Sequence, residues 1–229
     1  ALYELPYGTG KMYGSSAPTF AKFLFSGWQL GTLFNVRTGV PIDVELVRPD
    51  IVYRNNSTGA ISSGPLVTSG VIVTTPIVNV PGGGASRNVR RPDFIQGVNP
   101  YYVNRGVLYI NPAAFAVPQP GTVGNLGRDA LRGPSISQLD LTLSKKFAVG
   151  ETRNFEFRAE CYNILNSPVF AAPGGGTPRL NDATGTIQPG QAYTQSAAGG
   201  TFGALTSTVS NQVGFGTNRQ FQLALRFNF

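Results

Sequence analysis

An all-β fold of antiparallel, meander-ordered strands follows from three features of the sequence: strict apolar/polar alternation, abundant turn formers and few charges. The terminal stretch "RQFQLALRFNF" sets Phe221, Leu223, Leu225, Phe227 and Phe229 on one face and Gln220, Gln222, Ala224, Arg226 and Asn228 on the other. This follows because successive strand side chains point to opposite faces of a sheet. The 229 residues include 29 glycines and 17 prolines, a composition for many turns and long loops rather than helices. Only 13% are charged, about half the share of an ordinary soluble domain. A wholly apolar, aromatic face suits a water-soluble sandwich, and equally a barrel whose greasy side meets lipid.

Six stretches read as strands. "LYELPYG" places Tyr3, Leu5 and Tyr7 together, and "GWQLGTLFNVR" alternates Trp28, Leu30, Thr32, Phe34 and Val36 against Gln29, Gly31, Leu33, Asn35 and Arg37. "PIDVELV" sets Ile42, Val44 and Leu46 opposite Asp43 and Glu45. "SQLDLTLSKKF" sets Leu139, Leu141 and Leu143 opposite Asp140, Thr142 and Ser144. "RNFEFRAECYN" sets Phe155, Phe157, Ala159 and Cys161 opposite Glu156, Arg158 and Glu160, and the terminal stretch is the sixth. Several approach the 9–11 residues that a tilted strand needs to cross a bilayer. "GVIVTTPIVNV" is a seventh, extramembrane strand, since Pro76 is out of place in a central ladder.

The connections alternate short and long. The second and third stretches are predicted to join tightly at Thr38–Gly39, and the fourth and fifth by a short turn around Gly150. Residues 48–135 and 166–217 form long loops, and "GTGKMYGSSAPTF" a moderate one. Outer-membrane barrels have this asymmetry, with short periplasmic turns and long extracellular loops. The prediction is a partial transmembrane barrel over 1–229, with Phe229 at the periplasmic rim. A turn of Val149–Glu151 would pair Leu141 with Ala159 and put Asp140 opposite Glu160. A turn two residues longer pairs Lys146 with Glu156 and Ser144 with Arg158, and cross-strand charge pairing favours it by about 0.2–1 kcal/mol per pair. In either register the polar face carries Asp140, Glu156, Arg158 and Glu160, read as charges of a wet lumen.

Several function classes drop out. There is no histidine, so the commonest general base and metal ligand is missing. Cys161 is the only cysteine, which precludes an intrachain disulfide or a cysteine zinc cluster. "GTGKMYGSS" lacks the phosphate-loop spacing, because Met12 follows Lys11. "PGGGASR" and "PGGGTPR" read as flexible loop. Asp43/Glu45 and Glu156/Glu160 share faces but have no apolar pocket to tune them, so they read as lumen charges rather than acid/base pairs. No enzyme and no cofactor is expected. The net charge of +7 comes from scattered cations, without a recognition helix or an RNA-binding signature, so no nucleic-acid partner is expected. Bland surface charge, or attraction to anionic lipopolysaccharide, is the better reading. No signal-peptide pattern is visible at "ALYELPYG".

In order along the chain, "YELPYGTGK", "SGWQLGTLFNVRTGVPIDV", "RRPDF", "YINPAAFAVPQPGTVGNLGRDALRGPSISQLDLTLSKKF", "FEFRAECYNILNSPVF", "FGALTST" and "RQFQLALRFNF" resemble the C-terminal barrel region of Oar-like, TonB-dependent outer-membrane proteins. These are abundant in Acidobacteria and often carry a carboxypeptidase-regulatory-like domain. "NPAAFAVPQPGTVGNLGRDALRGP" is the most specific piece. The resemblance implies a bacterial outer-membrane location and a large plugged barrel of about twenty-two strands, energised through a TonB box. It also implies that Leu225, Phe227 and Phe229 form the signal read by the barrel-assembly machinery. Outer-membrane lipid and lipopolysaccharide would surround the strands. The outer loops would bind a ligand, with Tyr101, Tyr102, Tyr109 and Phe115 as contact aromatics, or as packing within the loops. Six strands leave two unpaired edges, which lipid does not tolerate. They would be completed by strands of a longer parent chain, with plug and TonB box, or by copies of the chain. The second arrangement implies a different function, a surface or extracellular assembly built by strand addition.

Overall fold

The computed structural model describes residues 1–78, 90–104, 106–149, 153–210 and 214–229. The chain forms two compact units: residues 1–38, 135–170 and 208–229 make the first, and residues 39–134 and 171–207 the second. No described helix is long and apolar enough to cross a membrane, which says nothing about crossing by strands.

The first unit is built on one antiparallel sheet. Its strands are β1 (Leu2–Glu4), β2 (Trp28–Arg37), β3 (Ile136–Ala148), β4 (Asn154–Tyr162) and β5 (Gln220–Asn228), in the spatial order of the chain. β2 to β5 have the lengths of bilayer-crossing strands. β1 is cut short where Pro6 interrupts the ladder. The registers align the faces. Leu143 lies between Leu30 and Ala159, and Ala159 lies opposite Leu223. Lys146 lies opposite Glu156, and Glu156 opposite Arg226. The β3–β4 register is the charge-paired one, with the longer turn closed by Val149 N–H donating to the Arg153 carbonyl at 2.8 Å. The turn's central residues, 150–152, lie outside the described residues.

One connection differs from the prediction. "PIDVELV" is not a stave beside β2. Pro41–Ile42 pairs antiparallel with Leu131–Arg132, and Glu45–Val47 pairs parallel with Arg179–Asn181, all within the second unit. The partner of β2 is β3, across its full length from Trp28 to Arg37. Burial explains the difference: Ile42, Val44 and Leu46 are the centre of the second unit's core, and an apolar row gains more there than on a solvent- or lipid-facing stave. Thr38–Gly39 is therefore no hairpin. A Cβ at Gly39 would collide with the Gly133 carbonyl, so a glycine is needed where these two strands of the second unit meet.

The second unit is a loop-rich body with its own core of Ile42, Val44, Ile110, Phe115, Leu131, Leu180 and Phe202. The "NPAAF" block turns the chain into that core. Asn111 Oδ1 accepts from Ala113 N at 3.1 Å and caps a 3₁₀ turn, while Pro112 and Ala114 are buried. "RRPDF" stitches its surroundings. Arg91 reaches Asp43 at 2.9 Å, Arg90 pairs with Asp50, and Asp93 and Asn125 exchange hydrogen bonds with each other's backbone neighbourhood. "PGGGTPR" contains a 3₁₀ turn over Pro173–Gly176, whereas "PGGGASR" lies outside the described residues. Thr74–Val78 is an edge strand beside Ile51–Asn55, as Pro76 requires.

Candidate functional site

The polar face of the sheet gathers three of the four predicted lumen charges. Arg158 lies 3.0 Å from Glu156 and 3.7 Å from Glu160, and Tyr162 Oη donates to Glu160 at 2.7 Å. With Arg226 opposite Glu156, a row of alternating charge crosses the sheet. Glu156, Arg158, Ala224 and Arg226 line a shallow cleft of about 140 Å³. Such a wall can hold water and steer charged solutes, but it contains no enclosed acid or base.

Asp140 sits apart from that row, near the other end of β3. Its Oδ1 accepts from Gln138 Nε2 and from Asn163 N, both at 2.8 Å. Asn163 is buried at positive φ, and its amide donates to the Ser167 and Thr217 carbonyls at 2.9 and 2.6 Å. Gln138, also buried, accepts from Gly216 N at 2.8 Å. This polar knot holds the chain where β4 ends and β5 begins, so Asp140 is an organising acceptor. Sequence reasoning missed Asn163, although an asparagine directly after a strand is a common place for left-handed backbone.

In the second unit, Phe115 is fully buried (0% exposed), with its ring edge-on to Phe94 and Phe202. Burial withdraws it from the predicted contact aromatics. The Tyr101 and Tyr109 rings pack at 5.2 Å, tilted by 57°, and clasp one backbone unit: Arg132 N donates to Tyr101 Oη at 2.7 Å, and Tyr109 Oη donates to the Arg132 carbonyl at 3.0 Å. Burial raises the Tyr109 phenol above its usual range, with Tyr101 beside it contributing. Tyr102 is half-buried, with its hydroxyl 3.5 Å from Gln195. Asp43 and Glu45 are ion-paired to Arg91 and Arg179 within this unit, and so are not lumen charges.

The unit also holds a charge pair that the sequence did not disclose. Arg48 and Asp182 are 3.0 Å apart, with both side chains 1% exposed. Arg48 also donates to the Ile187 carbonyl at 2.8 Å and more weakly to Gly185. Burial lowers the Arg48 guanidinium below its ordinary value, against the opposing pull of Asp182. Burial likewise raises the Asp182 carboxyl, against Arg48 and three backbone donors. Beside them the buried Tyr193 hydroxyl has no hydrogen-bond partner among the described residues, and burial pushes its titration far upward.

At the turn end of the sheet, Phe155 stacks on Phe227 at 4.7 Å and Phe227 on Phe229 at 6.1 Å. Leu225, Phe227 and Phe229 are all exposed, at 70, 45 and 95%. A short helix missed in the sequence reading, α1 (Thr19–Phe25), covers the apolar face there. Its signal was Pro18 followed by Phe20, Phe23 and Leu24 at helical spacing. Trp28 Nε1 donates to the Leu24 carbonyl at 2.9 Å, and Lys145 Nζ donates to the Phe23 carbonyl. Lys145, 3% exposed, stands among the Phe147, Trp28 and Phe23 rings at 4.7, 5.5 and 5.9 Å.

A sheet that is greasy across one face, charged across the other, and girdled by aromatic rings at one end is the wall of a membrane barrel. The chain belongs to the outer membrane beta barrel domain family, whose model matches residues 1–222. Its place is accordingly the bacterial outer membrane. No curated protein and no solved structure matches the sequence.

Proposed function

We propose that the chain is the ligand-receiving part of an Oar-like, TonB-dependent outer-membrane barrel, without enzymatic activity of its own. One observation carries the reading. Both long connections leave the same end of the sheet and fold into a unit with its own core, while the other end carries the Val149–Arg153 turn and the α1 segment. Short turns mark the periplasmic end of such barrels and long loops the cell surface. The second unit then faces the medium and receives the ligand, and the charged wall of Glu156, Arg158 and Glu160 lines the lumen. Partners follow from this placement. Lipopolysaccharide and phospholipid surround the apolar face, the assembly machinery reads Leu225, Phe227 and Phe229, and the TonB system acts through regions outside the present chain. Nucleic acid has no role.

The test removes the whole second unit, because its two segments interlock. Residues 39–134 and 171–207 are each replaced by a short turn. The barrel should remain heat-modifiable on a gel. Cells with the intact protein should deplete at least one solute from the medium. The deleted strain, and intact cells treated with a protonophore, should not. Identical depletion in all three would overturn the proposal.

A second reading, a strand-exchanged surface assembly, draws on the two open edges at β1 and β5. Each of the four pairings is antiparallel, so β1 and β5 run the same way. Like-oriented copies would meet in parallel, unlike the antiparallel ladders of outer-membrane barrels. A further odd number of strands restores the antiparallel join, which favours completion by a longer barrel. Particles sheared from cells that contain only a 24.3 kDa chain would reverse that preference.

A further inference from the structure

We propose that the groove between α1 and the apolar face of the sheet binds an anionic glycerophospholipid of the periplasmic leaflet, with one acyl chain lying against the groove wall. The inference rests on the membrane orientation used above and not on ligand uptake. Leu5, Tyr7, Leu24, Phe25, Trp28 and Leu143 line an open groove of about 830 Å³, within the roughly 300–1,000 Å³ range of small-molecule pockets. Trp28 and Leu143 belong to the apolar rows of β2 and β3, so the groove continues the surface that an outer-membrane barrel turns to lipid. It lies at the turn end, where the leaflet is phospholipid, and α1 stands against the sheet as its second wall. The T-shaped contact of Tyr7 with Phe25, at 6.0 Å, braces that wall.

Charge selects an anionic headgroup. Among residues 1–38, Glu4 is the only carboxylate, and it is held by Lys11 at 3.0 Å. Lys22, in the last turn of α1, makes no ion pair among the described residues. The Lys145 ammonium beneath α1 faces a carbonyl and three rings, with no carboxylate partner among the described residues. α1 and the apolar row of β3 therefore bring only positive charge to this patch. An apolar slot walled by a helix that carries the unpaired Lys22 is complementary to an acyl chain that ends in a phosphate, since a lysine stem lies along apolar surface and presents its charge at the interface.

Trp28 is the sequence's only tryptophan and lines the groove, so its fluorescence reports occupancy directly. The protein is purified from outer membranes with the strands that complete its barrel, any tryptophan outside residues 1–229 is replaced by phenylalanine, and it is reconstituted into phosphatidylcholine vesicles containing a minor fraction of dibrominated phosphatidylglycerol. Matched vesicles carry dibrominated phosphatidylcholine instead. The anionic quencher should be about fivefold more effective per mole, the worth of roughly one lysine at an anionic surface. Lys22→Glu should abolish that preference, and Leu24→Asp should weaken quenching by the anionic lipid. Equal quenching by both lipids, or a preference untouched by either substitution, would overturn the site. If neither lipid quenches Trp28, the apolar face of the sheet does not meet lipid, and that failure is distinguishable from the others.

Discussion

Within the second unit, single side chains decide stability through what burial does to charge. Arg48 and Asp182 are both sequestered, and each titrates in the direction that burial imposes rather than the direction its partner would impose. Removing one partner leaves a buried, unpaired charge. Arg48→Met should therefore cost about 3–5 kcal/mol, while Arg48→Met with Asp182→Leu should recover most of it. Hydrogen exchange across residues 171–207 would measure both. The pH dependence has a definite sign. The folded carboxyl of Asp182 binds its proton more tightly than an unfolded one, near pH 4. Its contribution is fully present below that value and is lost as pH rises through the raised folded pKa. Acidification from neutrality should thus slow exchange through this group, and Asp182→Asn should remove the trend. Tyr193→Phe deletes a buried hydroxyl that lacks a partner, and should be neutral or stabilising by about 1 kcal/mol.

At the scale of elements, the four long strands were legible because apolar and polar residues alternate over most of their length, with Leu33 and Lys145 among the exceptions. Parity plus charge pairing was enough to select the β3–β4 register, Lys146 against Glu156. The same alternation misled at "PIDVELV". A period of two says that one face is apolar, and it cannot say whether lipid or a protein core covers that face. Ile42, Val44 and Leu46 met a core. The candidate site was legible only in part: Glu156, Arg158 and Glu160 followed from the strand pattern. The Asn163 knot and the Arg48–Asp182 pair join residues distant in sequence, and local patterning carries no trace of such contacts. Asn163→Ala removes three hydrogen bonds and a left-handed residue at once. It should destabilise the β4–β5 connection by about 2–3 kcal/mol, read as increased protease cutting in residues 163–170. For β5, Phe227→Ser or deletion of Phe229 should lower the folded, heat-modifiable fraction in the outer membrane.

For the whole molecule, the orientation can be tested without knowing the ligand. In a Cys161→Ala background, Val123→Cys in the second unit should react with an impermeant maleimide on intact cells. Val149→Cys, at the short turn, should react only after the outer membrane is opened. Both native positions are exposed, at 72 and 48%, so accessibility is set by the membrane side alone. The opposite pattern would invert the sheet. The second unit is stitched from two segments separated by β3 and β4, and this bears on how the protein comes to exist. Its core needs Leu180 and Phe202 beside Ile42 and Phe115, and its ion pair needs Asp182 beside Arg48. In the orientation proposed above, the earlier segment would have to cross to the cell surface unfinished and wait there until the intervening hairpin has been laid into the wall and the later segment delivered. Folding on the outside becomes a receipt for insertion. A chain that stalls halfway displays an open core and a lone buried-type arginine to the medium, where proteases can find it, while a chain that completes the wall closes over both.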